Sequence, residues 1–363
     1  MQTIHDLPTP ALLLDVDVLE RNLRSMSERC RHLDVRLRPH VKTHQCVEIG
    51  LAQRALGASG ITVSTLPEAR AFAEAGLDDM TWAFPLVPSR VDEAAELARE
   101  VSLGVVVDSR TALEAVLASG APFRVWLKVD CGYGRAGLAS DSPEFRALTD
   151  RLAASSLPLA GLLSHSGNAY RARSRAEMAR IAETERRTMV AAADDLAARG
   201  FDRPALSVGS TPSMSACASL AGIAEVRPGN YALHDYTQVL LGVCGVEDCA
   251  ATVLASVVSS SRDRGTSVVD SGALAMSLDP GPMHLRRRSY GEMLDDGAPG
   301  ELRRNARLTS LSQEHGVLSA HLPVGSRIRL VPNHSGPTVS CFDAFFVVRG
   351  DQVMDTWVVR RQR

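Results

Sequence analysis

Arg38-Pro39-His40-Val41-Lys42-Thr43-His44 is the run on which the reading of this chain turns. It ends a short strand-like stretch, Asp34–Pro39, and precedes a helical pattern that starts at Val47. An open doubly wound α/β sheet normally carries a glycine-rich fingerprint in its first strand-to-helix turn. Here that turn holds a lysine between two histidines, which argues against the open sheet. A lysine that closes a buried strand is badly placed for solubility. Apolar neighbours and nearby imidazoles would depress its pKa and make it an amine nucleophile toward an aldehyde. The plain alternative is a surface lysine that buries its stem and keeps its charge in water.

Outward from this run the pattern repeats. Strands are expected at Asp34–Pro39, Gly60–Ser64, Met80–Phe84, Leu103–Val107, Arg124–Val129, Leu157–Ser164, Ala205–Val208 and Glu225–Val226. Helical periodicity is expected at Val47–Leu56, Pro67–Ala75, Arg90–Arg99, Ser109–Ala118, Ser142–Ala154, Arg175–Ala198 and Pro212–Leu220. This alternation predicts a parallel sheet with covered faces, and its eight strands predict a closed (β/α)8 TIM-type barrel. A strand at Pro10–Asp15 and a helix at Val16–Leu33 come first. Past about Tyr236 the helical period fades. Val253–Ser259, Ser267–Val269, Val317–Ala320, Ile328–Val331 and Ala344–Val348 read as strands divided by polar loops. The expected organisation is α/β: a barrel over 16–236 and an all-β domain from 1–15 and 237–363. Residues 278–300, rich in Asp, Gly, Pro and Arg, read as a long mobile or functional loop.

Composition narrows the class. The 363 residues are 45% hydrophobic and 23% charged, enough for one large domain and a smaller one. A net charge of −2 gives no electrostatic basis for nucleic-acid or anionic-membrane binding. Cys30, Cys46, Cys131, Cys217, Cys244, Cys249 and Cys341 are scattered and read as reduced thiols, so the expected compartment is cytoplasmic. Met1 to Pro10, with acids and prolines and no apolar core stretch, is not expected to act as a signal peptide, and no apolar run is long enough to span a bilayer.

Barrel enzymes place their chemistry at the C-terminal ends of strands, and the unusual clusters fall there. Lys42 follows the first barrel strand, Asp130 to Arg135 the fifth and His165 to Tyr170 the sixth. Gly209-Ser210-Thr211-Pro212 follows the seventh, and Arg227-Pro228-Gly229-Asn230-Tyr231 the eighth. Gly209 permits close backbone approach, Ser210 and Thr211 offer hydroxyls, and Pro212 suits a first helical turn. Gly229 and Asn230 add amide donors. Loops after strands seven and eight are the usual phosphate cradle of this barrel; an ordinary capping turn is the simpler reading of each cluster alone. With a lysine able to bond an aldehyde, the pair predicts pyridoxal 5′-phosphate (PLP). Arg227 is expected near the pyridine nitrogen, or salt-bridged on the rim. His165 is expected beside the ring, or satisfied in the core. Tyr170 and Arg135 are candidates for holding cofactor or substrate carboxylate. His334, in a Pro- and Gly-bounded turn, is a candidate ligand or acid–base group, or a histidine bonded within its turn.

Together these motifs resemble the D-threonine aldolase and D-serine dehydratase family of fold-type III PLP enzymes. The resemblance runs from Thr9-Pro10-Ala11-Leu12 to the final strands. It is carried by the Arg38–His44 run, Gly209-Ser210-Thr211-Pro212, Arg227-Pro228-Gly229-Asn230-Tyr231 and Pro332-Asn333-His334. It implies an alanine-racemase-like barrel with a β domain, usually a homodimer. It also implies that Lys42 carries the cofactor, with Ser210, Thr211, Gly229 and Asn230 around the phosphate. Family members use a divalent metal at the substrate β-hydroxyl, held by a histidine and, two residues later, a cysteine or aspartate. His334 matches the first ligand; Gly336 stands at the second and has no side chain to offer. Cys341 and Asp343 are substitutes at a different spacing. The implied activity is a lyase on D-configured β-hydroxy amino acids, by retro-aldol cleavage or by dehydration, with Lys42 and His334 catalytic. An amino acid racemase or epimerase that needs no metal is the alternative, and a non-catalytic PLP carrier a more distant one.

Overall fold

The computed structural model describes residues 2–286, 288–298 and 300–360. Strand β1 (Ala11–Asp15) leads into helix α1 (Val16–His32). Repeats follow: β2 (Arg36–Leu37), α2 (Val47–Ala55), β3 (Ile61–Val63), α3 (Leu66–Glu74), β4 (Asp79–Pro85) and α4 (Val91–Ala98). Then come β5 (Ser102–Val107), α5 (Arg110–Ala118), β6 (Arg124–Lys128), α6 (Pro143–Ala153), β7 (Leu159–Leu163), α7 (Arg175–Ala198), β8 (Ala205–Val208), α8 (Thr211–Ala216) and β9 (Glu225–Val226).

Among the described residues the sheet of this region has eight strands, all parallel, in the order β2-β9-β8-β7-β6-β5-β4-β3. It closes on itself: His40 bridges Thr62 in parallel, and the Thr62 N–H donates to the Pro39 carbonyl at 2.8 Å. The strands are apolar because both faces are covered. Val105, Val106 and Val107 are all 0% exposed. Helices start where a hydroxyl caps them; Thr65 accepts from the Glu68 N–H, and Ser109 from the Ala112 N–H. Gly104 and Gly161, on the strands flanking β6, leave room for the buried Trp126 indole. A Cβ on Gly161 would stand 2.4 Å from that ring.

The second sheet is antiparallel apart from the β1–β16 pair, which is parallel. It comprises β1 with β10 (Ala251–Ser261), β11 (Thr266–Val269), β12 (Glu292–Leu294), β13 (Leu302–Leu311), β14 (Gly316–Leu318), β15 (Arg327–Val331), β16 (Ala344–Arg349) and β17 (Gln352–Val358). The order is β11-β14-β13-β12-β15-β10-β1-β16-β17, with β11 also pairing β10. β1 is apolar along most of its length and lies between β10 and β16 with Leu12, Leu13 and Leu14 at 0% exposure.

The chain falls into two compact units. Among the described residues one holds 27–42 and 49–229; the other holds 2–26, 43–48 and those from 230 to 360.

Several expectations are corrected. The first barrel strand is two residues long, and Lys42 sits in a 3-10 turn, Val41–Thr43, not on a strand end. The helix expected to Leu220 stops at Ala216. The supposed loop 278–300 contains β12, which pairs with β13 and β15. Strands β13 and β17 had no strand expectation at all. Both are largely solvent-exposed, so their sequences mix charge with apolar residues and lack a clean period of two.

Candidate functional site

The Lys42 side chain is accessible, yet its ammonium pKa is lowered, first by desolvation and then by Arg135 and Arg227, with Glu68 opposing. A side chain standing in a protein-lined recess shows both properties. Four cationic side chains act on one another here: Lys42, Lys128, Arg135 and Arg227. Lys128, the last residue of β6, is 4% exposed, and burial lowers its pKa to about 8. Burial also holds the imidazoles of His40 and His165 well below their ordinary range, and the same cations add to it. Both are neutral at physiological pH. His165, just beyond β7, meets the Tyr133 ring edge-on at 5.9 Å, and the Arg135 guanidinium lies over the Tyr133 ring, 5.1 Å from its centroid. Glu68 is buried, and desolvation pushes its carboxyl up to about 7, although the Ser64 N–H donates to it at 2.6 Å.

Arg227 is not on the rim. It is 5% exposed and donates to the Ser207 hydroxyl and to the Ser164 carbonyl. Ser207 donates to Glu225 at 2.7 Å, while Ser164 and Ser166 donate to Glu185 at 2.7 and 2.8 Å. Arg38 bonds Glu225 at 2.8 Å and Asp79 at 2.9 Å. Burial lowers the Arg227 pKa to about 10, which leaves it cationic at neutral pH. This network fixes the guanidinium in the barrel interior.

Gly209 adopts φ +98°, a conformation that favours glycine. Ser210 is the N-cap of α8. Its N–H donates to the Ser213 hydroxyl at 2.8 Å, and its hydroxyl caps the Ser213 N–H. Thr211 and Pro212 are buried in the first turn. Tyr170 lies half-buried in a 3-10 turn, Gly167–Arg171. Asn230 is 4% exposed; its amide donates to Asp235 at 2.5 Å and to Ser335 at 3.1 Å. Tyr231 is 1% exposed and is core. The phosphate and the phenolic oxygen of PLP carry negative charge, and the Lys128, Arg135 and Arg227 cations beside an amine of lowered pKa suit them. The buried His40 Nδ1 has no hydrogen-bond partner within the protein, so the recess also has polar capacity to spare. The residues fit the cofactor.

The His334 corner belongs to the other unit. His334 Nδ1 stands 3.0 Å from Asp279 Oδ2. Asp279 is held in turn by the Gly281 N–H at 2.8 Å, and its carbonyl accepts from Asn333 at 3.1 Å. The bond to His334 leads the causes that lower the Asp279 pKa. A Cβ built on Gly336 would lie 4.0 Å from His334 Nε2 and 3.7 Å from the Cα of Thr43, the residue after Lys42. Position 336 therefore faces the imidazole and brings nothing to it. Cys341 turns its thiol to the Pro337 carbonyl at 3.4 Å. Among the described residues no group of three or more His, Cys, Asp or Glu could hold a metal ion. At the two-residue site the resemblance implies, Gly336 brings no donor beside His334, so the residues do not fit that metal site.

Sequence reasoning missed Lys128, Glu68 and Asp279. Lys128 had a signal: a lysine inside the buried run Val125 to Val129. Asp279 lay unassigned in the 278–300 loop, and nothing local ties it to His334, 55 residues away.

The family model "Alanine racemase, N-terminal domain" matches residues 14–236, and "Putative serine dehydratase domain" matches 250–348. The D-threo-3-hydroxyaspartate dehydratase of Delftia sp. HT23 is 38% identical over 98% of both chains. Its structure superposes with a TM-score of 0.94 over 99% of each chain. The D-serine dehydratase of Dictyostelium discoideum is 32% identical over 96% of this chain and 95% of its own. The structure of D-threonine aldolase from Filomicrobium marinum is 30% identical, covers 99% and 98% of the two chains and has a TM-score of 0.84.

Proposed function

Because the chain belongs to the D-serine dehydratase and D-threonine aldolase family of PLP enzymes, built on an alanine-racemase-type barrel, we propose that it removes water from a D-configured β-hydroxy amino acid. It is a PLP-dependent lyase. The observation that carries the reading is Lys42: an amine of lowered pKa set among cations at the C-terminal end of a barrel. The choice of dehydration over aldol cleavage rests on the 38% identity to a dehydratase along the whole chain. A substrate with a second carboxylate, as in D-threo-3-hydroxyaspartate, is the first compound to try.

In this proposal Lys42 Nζ would hold the cofactor and would take the substrate α-proton. PLP, when bound, supplies the electron sink that acidifies the substrate α-carbon. Gly209, Ser210, Thr211, Gly229 and Asn230 would surround the phosphate; the Ser210 N–H and hydroxyl also serve the α8 cap, and the Asn230 amide group also donates to Asp235. Arg227 donates toward the ring nitrogen and, being cationic, keeps that nitrogen unprotonated. His165, Tyr170 and Tyr231 border the ring; Arg135 takes a carboxylate. His334 moves the proton at the β-oxygen. The protein is proposed to work as a cytoplasmic homodimer; its seven cysteines are all free thiols.

Purified enzyme given D- and L-β-hydroxy amino acids is expected to yield a 2-oxo acid and ammonium from a D substrate. Glycine and an aldehyde would move the reading to aldol cleavage, and an inverted amino acid to racemisation. Protein without visible cofactor absorbance, and unmodified at Lys42 by borohydride, would overturn it.

A further inference from the structure

We infer that this chain handles the substrate β-hydroxyl without a metal ion, using His334 Nε2 as the proton carrier and Asp279 as the residue that positions it. The inference rests on the proposed dehydration. Two observations carry it. First, position 336 is bare: a side chain there would project to within 4.0 Å of His334 Nε2, and glycine supplies none. The nearest atoms to that Cβ are at 3.7 Å, ordinary contact, so space is available and crowding does not explain the glycine. Second, the opposite ring nitrogen is taken. Asp279 Oδ2 lies 3.0 Å from Nδ1, and both side chains are partly exposed, 44% for His334 and 35% for Asp279.

A carboxylate on one imidazole nitrogen fixes the ring and its tautomer and leaves the other nitrogen to exchange protons. The same pairing also supports metal-bound histidines, so the carboxylate alone decides nothing. The missing ligand decides. A lone histidine is a poor divalent site, and position 336, which faces Nε2, offers no second ligand. Asp279 is itself braced through Gly281 and Asn333, as a positioning group must be.

The step balances without an ion. The electron pair of the Cα–H bond forms the Cα=Cβ bond as the Cβ–O bond breaks; the oxygen keeps the Cβ–O pair, and His334 enters the step as imidazolium. The oxygen takes the proton from His334 Nε2 and leaves as water. The α-proton has gone to Lys42. The unsaturated amine released adds water and ends as a 2-oxo acid and ammonium.

The test measures metal content and catalysis on the holoenzyme. Inductively coupled plasma analysis, before and after incubation with zinc and dialysis, is expected to find far less than one divalent ion per chain. Dehydration is expected to be unchanged by chelator. About one ion per chain, or activity lost to chelator and restored by metal, overturns the inference. D279N and H334A are then compared in two reactions. Dehydration should fall, by roughly 10²–10⁴-fold for H334A and about tenfold or more in kcat for D279N with little change in KM. D279E should recover part of the loss. Exchange of the D-alanine α-proton in deuterated water needs Lys42 but no β-hydroxyl chemistry, and should persist in both variants. Equal loss of both reactions would mark general damage and remove Asp279 from the mechanism. Wild-type protein that neither absorbs in the visible nor exchanges would instead defeat the cofactor reading.

Discussion

Lys42 and His334 are kept ready in opposite ways. Around Lys42 the chain spends charge freely: Lys128, Arg135 and Arg227 crowd one recess, and Arg227 feels in turn the Arg38–Glu225 pair, which Asp79 extends. Around His334 it is sparing: one carboxylate on Nδ1 and a glycine facing Nε2. The contrast teaches where a family of this kind can change. Losing a cation around Lys42 would strand buried partners, which is costly. Losing a ligand at 336 strands nothing, because the imidazole keeps its carboxylate.

The comparison can be broken from its strong side first. Lys42→Ala is expected to lower dehydration by roughly 10⁴-fold or more and to abolish the visible absorbance of the bound cofactor; near-normal turnover would end the role of Lys42. Arg38→Ala leaves Glu225 buried with part of its bonding lost, and should destabilise the fold by about 3–5 kcal/mol in denaturant titration. A loss within experimental noise would show that the network is replaceable. Gly336→Cys tests the sparing side: added thiolate beside His334 should let the variant retain zinc through dialysis where the wild type does not.

The smallest expected effect concerns Glu68. Its carboxyl is raised to about 7 from an ordinary 4.5, mainly by burial. A carboxyl with a raised folded-state pKa holds its proton more tightly when folded. Its contribution to stability is full below about pH 4.5 and is lost as pH rises through about 7. Wild-type protein should therefore lose more stability between pH 5 and pH 8 than Glu68→Gln does. Equal slopes would place the carboxyl's pKa near normal.

Much of this was legible along the chain. The run ending at Lys42, the alternation of strands with helices and the two turns after β8 and β9 are local patterns of two to ten residues, and the barrel followed from counting them. The β unit was less legible. β13 carries Arg303, Arg304 and Arg307, and β17 carries Asp355; an exposed strand needs no apolar face, so it leaves no period to read. Asp279 escaped for another reason: a loop carboxylate has no signature until its partner is known.

The sequence by itself determined that Lys42 follows a first barrel strand and that position 336 holds no ligand, because both facts are properties of single positions. Only the tertiary structure decided that Arg227 is an interior group held by Ser207 and Ser164. It also decided that Lys128 shares the charge of the Lys42 recess and that Asp279 grips His334. The physical reason is range. Hydrophobic period and turn chemistry act over a few residues, while desolvation and hydrogen bonds depend on which distant segments the fold brings within about 3 Å of one another.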